Sequence, residues 1–185
     1  MSLLPFFEWL ASTPGSIALH ESEYMYPIVE SVHVWSLCVF VGFTAMMDLR
    51  FLGLTMRRVP VSQVVERLQP VIMAGFAIMV VTGILLVYAI PVRTYQSVWF
   101  RGKLILLLLA GLNALAFHVR TYPRVSTWDL AVVLPRPARV AGALSLLLWA
   151  GIVVSGRMIA YNWFDCGQPQ SAFVMWIAGC TPEKP

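Results

Sequence analysis

Long apolar stretches closed by polar, proline-containing joints dominate the hydropathy pattern of this chain. Roughly 20 consecutive apolar residues cross a bilayer core as a helix, and the stretches 26–50, 70–90, 100–120 and 138–161 reach that length. The first, YPIVESVHVWSLCVFVGFTAMMDLR, also carries Glu30, His33 and Asp48. On a helical wheel at about 100° per residue these three share a narrow sector with Leu37 and Thr44. Lipid cannot hydrogen-bond an imidazole or a carboxylate, so that sector must look into protein or a wet cavity. The remaining spans are expected to cover it.

Each of those spans has its own signature. Gly75, Met79, Thr82 and Gly83 line one side of the second, a surface of mainly small residues that lets another helix approach closely. The third opens with Arg101 and Lys103, runs through leucines and carries Asn113, a candidate for interhelical hydrogen bonding, and His118. In the fourth, Ser145, Trp149, Ile152 and Gly156 share a face that Arg157 closes. Outside the spans, SLLPFFEWL reads as a short helix at the membrane surface rather than a secretory signal, because it lacks a basic start and is broken by Pro5 and Glu8. Pro14-Gly15 reads as a turn, and SIALHESEYMYP as a polar lead-in to the first span. VSQVVERLQP, between two prolines, predicts a short interfacial helix before the second span.

Composition agrees with this reading. Of 185 residues 59% are hydrophobic and 12% charged, against about 25% charged in soluble domains. The mean hydropathy is +0.76. The expected fold is therefore all-α: one integral membrane domain over residues 1–185, a four-helix bundle with short interfacial helices at the N-terminus and in the C-terminal tail. The net charge of +4 does not indicate nucleic acid, because the basic residues sit at the ends of apolar segments. They indicate topology instead. Arg50, Arg57, Arg58, Arg67, Arg120, Arg124, Arg136 and Arg139 fall after the first and third spans, so the positive-inside tendency places those connections in the cytoplasm and both termini outside. Cys166 and Cys180 then lie on the oxidising side, where a disulfide can pin SAFVMWIAG against the membrane, while Cys38 reads as packing.

Candidate chemistry centres on the three histidines, His20, His33 and His118. Inward histidines in a membrane bundle can bind haem b axially, with Arg101, Lys103 and Arg157 at the outer ends of their spans to meet the propionates. His33 and His118 differ in depth by about 10 Å or more at about 1.5 Å per residue, so one iron is not expected to take both. His33 is the principal candidate ligand, with Glu30 one turn above as its hydrogen-bonding partner and His20 or Met158 as second axial ligand. His118 serves either a second site or a plain carbonyl or phosphate contact. A copper or other metal-handling reading uses His20, Glu21, Glu23, Met25, Glu30 and His33, although their spacing fits no compact ligand motif. A third reading makes the chain a non-catalytic subunit whose polar groups fix helix packing. Asp48 with Arg50 reads as a charge pair at the inner interface. No nucleophile–base, phosphate-loop or helical zinc motif is present in the sequence, so no catalytic residue is assigned.

HESEYMYPIVESVHVW, MMDLRFLGL, FRGKLILLLLAGLNALAFH, WDL and SLLLWAGIVVSGRMIAY, in this order, resemble an uncharacterised family of bacterial inner-membrane proteins of unknown function. The resemblance runs from His20 to Tyr161 and implies a four-helix membrane fold without an assigned activity. A looser likeness to b-type cytochromes and copper-resistance membrane proteins is one of architecture. The partners implied by these readings are the lipid bilayer, a quinone or redox partner protein, and further copies or subunits of a complex.

Overall fold

Four helices are long and apolar enough to cross a membrane, and they pack so that α3 (Met25–Phe51) lies against both α4 (Val61–Ala89) and α7 (Arg136–Tyr161), while α6 (Val98–Ala116) lies against α7. The computed structural model describes residues 3–161, 166 and 169–180, and no strand occurs among them. Three short helices complete the chain: α1 (Leu4–Ala11) and α2 (Pro14–Glu21) before the bundle, and α5 (Pro91–Tyr95) between α4 and α6. A fourth, α8 (Ala172–Ala178), lies in the tail. One end of the bundle carries α1, α2, α5 and α8, and the other carries the α3–α4 and α6–α7 connections; these are called here the termini end and the connection end. The large apolar side chains Trp35, Leu108, Leu115 and Leu147 point outward. Such a surface is at home in lipid.

The small-residue side of α4 is used as its sequence suggests. A Cβ on Gly75 would stand 3.3 Å from the backbone nitrogen of Phe40, so glycine there sets how closely α3 and α4 approach. Around this crossing Phe40, Ile72, Met79, Ala110, Leu148, Trp149 and Ile152 form the central core. The rings of Phe40 and Trp149 meet edge-on at 4.6 Å, a geometry that suits aromatic quadrupoles. The α6–α7 pair is tied by Asn113, whose amide donates to the Ala141 carbonyl at 3.0 Å. Cys38 is exposed on α3 and therefore faces lipid rather than the packed interior expected for it.

Several elements differ from the sequence expectation. VSQVVERLQP is no separate interfacial helix but the opening of α4, which passes through Pro70 without ending. Val61, Val64 and Val65 explain why: their side chains are buried, and Val61 and Val65 join Phe51, Phe117, Leu134 and Ala138 in a second core at the connection end. Pro14 begins a helix instead of a turn because it occupies the first turn, where its missing N–H costs nothing, and the Thr13 side chain accepts from Ser16 N–H. α2 is docked on the bundle, with the Ser16 hydroxyl donating to the Tyr88 carbonyl at 2.7 Å and Thr13 and Tyr88 hydroxyls 2.9 Å apart. α6 ends at Ala116 in one π-helical turn, Phe117–Thr121, followed by a 3₁₀ stretch, Tyr122–Thr127.

At the connection end Arg50 is fully buried. It does not pair with Asp48. Its guanidinium donates from Nε and Nη2 to the Val59 carbonyl at 3.1 and 3.0 Å and from Nη2 to the Asp129 carbonyl at 3.5 Å. Asp129 in turn accepts from the Ser62 N–H and hydroxyl, each at 2.7 Å, and so caps the start of α4. At the termini end Arg101 has a comparable role, donating to the carbonyls of Tyr95, Ile177 and Ala178 and lying over the Tyr95 ring. The expected Cys166–Cys180 disulfide is present. Arg101 holds α8 against the start of α6, with Phe173 and Trp176 outward.

α7 approaches α3 most closely at Gly142, where a Cβ would stand 3.0 Å from the Asp48 carbonyl oxygen and 3.1 Å from the Phe51 Cβ. Gly111 on α6 has nothing within 4 Å of the equivalent position. Gly142→Ala is therefore expected to destabilise the detergent-solubilised protein by about 1–3 kcal/mol through overpacking, and Gly111→Ala to leave it unchanged or slightly more stable. Thermal unfolding of the two variants beside the parent checks this, and equal midpoints for both would contradict the packing described.

Candidate functional site

α3 places the polar sector of its sequence on two levels. Towards the termini end, the half-buried His33 points at α4, where its Nδ1 lies 3.0 Å from the Thr82 Oγ1. The Thr82 hydroxyl has a single hydrogen, which it shares with the carbonyls of Ile78 at 2.7 Å and Met79 at 3.2 Å. Towards His33 it can therefore offer only a lone pair, so Nδ1 carries the proton and donates. In this tautomer Nε2 keeps its lone pair, the form in which an imidazole binds a metal, and the Met79 carbonyl is a further hydrogen-bond acceptor for the ring. The adjacent Gly83 leaves room for the ring, since a Cβ there would stand 3.2 Å from His33 Cε1. Lys103 from α6 lies within electrostatic reach of the same imidazole, with its Nζ 3.5 Å from where a Gly156 Cβ would be.

The other candidate residues are distributed differently from the haem arrangement expected of them. Glu30 is exposed on α3, and Thr82 takes the role of hydrogen-bonding partner assigned to it. His20 is exposed on α2, edge-on to Tyr26 with ring centroids 6.4 Å apart. His118 sits in the π-turn, exposed, with Nδ1 bonded to the Ala114 carbonyl at 3.0 Å. Arg157 is exposed and donates to the Tyr161 hydroxyl at 3.0 Å. Arg101 is committed to the carbonyls that hold α8. Met158 is half-buried on α7, two residues beyond Gly156. Among the described residues no group of three or more His, Cys, Asp or Glu converges as a metal site. His33 is the imidazole turned towards α4, with Lys103 as the nearby cation, and neither His20 nor His118 converges on it.

On the second level the sequence pairs Asp48 with Arg50, and the structure separates them. Towards the connection end, Asp48 and Thr44 are 3% and 7% exposed, and Asp48 Oδ2 and Thr44 Oγ1 have no hydrogen-bond partner. Ser145 of α7 is the polar neighbour of the Asp48 carboxyl. Asp48 and Thr44 line a cavity of about 410 Å³ between α3 and α7, walled by apolar side chains. The signal was present in the wheel, where Asp48 and Thr44 share the sector of His33, but proximity in sequence favoured Arg50 as the partner.

The fold and these two levels define a multi-pass membrane protein with ionisable groups turned into a four-helix bundle. A family model described as "Family of unknown function (DUF6644)" matches residues 6–162, and the chain belongs to that family. No curated protein and no solved structure matches it.

The hydrogen bonding of the two histidines inside the long helical segments gives a spectroscopic prediction. In haem-free protein labelled with ¹⁵N-histidine, His33 should show a protonated Nδ1 and an unprotonated Nε2. Thr82→Val should shift the His33 resonances and leave those of His118 in place. A protonated Nε2 on His33 in the parent protein would contradict the assigned hydrogen bond.

Proposed function

We propose that this protein is a haem b-binding redox protein of the bacterial inner membrane, in which His33 Nε2 would hold the iron. The observation that carries this reading is the Thr82 contact, because an imidazole that donates from one ring nitrogen to a fixed acceptor presents the other in a defined direction. The intramembrane setting supports it, since ionisable groups are costly to keep in a bilayer without a task. Lys103 supports it further by supplying a positive charge beside the imidazole, suited to a propionate. Haem, when bound, supplies a one-electron couple. The chain's own residues orient the ligand ring, exclude water from it and balance charge.

The same reading places both termini on the extracytoplasmic side, with His33 in the outer half of the membrane. Beside the buried Arg50, the exposed arginines after α3 and α6, Arg57, Arg58, Arg67, Arg120, Arg124, Arg136 and Arg139, carry that orientation. An impermeant thiol reagent applied to intact cells is expected to label a cysteine introduced at Ser2 and not one introduced at Arg58, in a Cys38→Ser background. The reverse pattern would invert the protein.

Absorption spectra test the cofactor. Protein expressed with ample haem supply should show a Soret band that changes on dithionite addition. His33→Ala should lose the band, and His118→Ala and His20→Ala should retain it. A parent protein with no Soret band, or a His33→Ala variant with an unchanged one, refutes the assignment and leaves a subunit whose polar groups serve packing.

A further inference from the structure

The cavity between α3 and α7 lies about 20 Å along α3 from His33, at about 1.5 Å per residue, and plays no part in the haem reading. Its polar atoms are the unusual feature. The hydroxyls of Ser31, Ser36, Thr82, Thr94 and Ser155 each bond to a carbonyl three or four residues back in the helix, as hydroxyls in apolar helices commonly do. Thr44 does not; its Oγ1 is buried and unpaired, as is Asp48 Oδ2 one turn along the same face. An unsatisfied buried polar group costs about 1–3 kcal/mol, and the bilayer interior offers no water to relieve it. Both residues line the cavity.

The walls define the rest of the ligand. Val41, Ala45, Val153 and Val154 are apolar, and Trp149 contributes an aromatic ring. The about 410 Å³ volume lies in the range of small-molecule sites, roughly 300–1,000 Å³. Val153 and Val154 are 40% and 52% exposed, so in a membrane this side opens laterally to lipid. An acyl chain fills such a space but leaves both polar atoms unpaired, and a bare cation leaves the apolar walls unused. The molecule that meets all the conditions is lipid-soluble, has a flat apolar ring, and carries a ring oxygen able both to accept from a hydroxyl and to exchange a hydrogen bond with a carboxyl. The geometry points to a site for the head group of a quinone or quinol, with a ring oxygen between Thr44 Oγ1 and Asp48 Oδ2 and the ring against Trp149. A quinol hydroxyl donates to the carboxylate, and a quinone carbonyl accepts from the Thr44 hydroxyl and from a protonated Asp48. This inference stands without the haem reading, because none of its groups belongs to the His33 level.

The test uses the full chain reconstituted in phosphatidylethanolamine–phosphatidylglycerol vesicles and photolabelled with a short-tailed azido-ubiquinone. Saturable adducts are expected on peptides containing residues 41–48 and 149–154, displaced by decylubiquinone but not by dodecane. Thr44→Val preserves shape and removes the hydroxyl; it should weaken labelling about tenfold, the effect of one lost hydrogen bond in a buried site, and leave the thermal unfolding midpoint close to that of the parent. Asp48→Leu should weaken it at least as much, and Thr44→Val decides the matter if that variant does not fold. His118→Ala, at an exposed residue outside both levels, should label like the parent, and saturable labelling of a parent protein that shows no Soret band separates this outcome from failure of the haem reading. Labelling elsewhere, labelling that does not saturate, equal displacement by dodecane, or parent-like labelling of Thr44→Val overturns the proposal.

Discussion

The connection end depends on one buried cation. Arg50 leaves the last turn of α3 and gathers main-chain carbonyls from the α3–α4 and α6–α7 connections, with the Asp129 carboxylate within electrostatic reach. Hydrogen bonds from a charged donor contribute about 1.5–3 kcal/mol each, and here they replace solvation that a buried guanidinium has lost. Asp129 completes the arrangement by capping α4 with its carboxylate and accepting from Val61 N–H with its carbonyl at 3.1 Å. The start of α4 is thereby fixed relative to the end of α3. That in turn sets the register in which Gly75 meets Phe40 and Thr82 meets His33.

Above this clamp the bundle alternates in character along α3. Asp48 and Thr44 form a polar level, Phe40 with Trp149 and Ile152 an apolar one, and His33 with Thr82 and Lys103 a second polar level. α3 thus carries His33 and Asp48 on two levels separated by an apolar, aromatic layer. Charges on the two levels are insulated from direct hydrogen-bonded contact, and each level is free to be tuned by its own neighbours.

The four spans, the shared sector of His33 and Asp48, the small-residue side of α4 and the Cys166–Cys180 bridge were legible in the sequence because each depends on periodicity, length or compartment. The partners of the polar groups were not. Thr82 is 49 residues from His33, and nothing in either segment states which hydroxyl faces which ring. Arg50 and Arg101 were read as topology and propionate charges, since a charge count cannot show that a guanidinium is turned towards carbonyls. VSQVVERLQP reads as interfacial because Pro60 and Pro70 punctuate it, yet Val61 and Val65 bury against Phe51 and Leu134 and carry the helix through Pro70. Tertiary burial outweighed local punctuation there.

Arg101 recognises α8 through main-chain carbonyls and the Tyr95 ring, not through any side chain of the tail. Recognition of this kind depends on the buried Ala178 and on the left-handed turn that Gly179 supplies at φ 71°, and not on the residues of the outward face. The outward face bearing Phe173 and Trp176 is consequently uncoupled from the anchor. Evolution can rewrite what the tail presents at the membrane surface, making it greasier, more polar or shaped for a neighbour, while the attachment point stays constant.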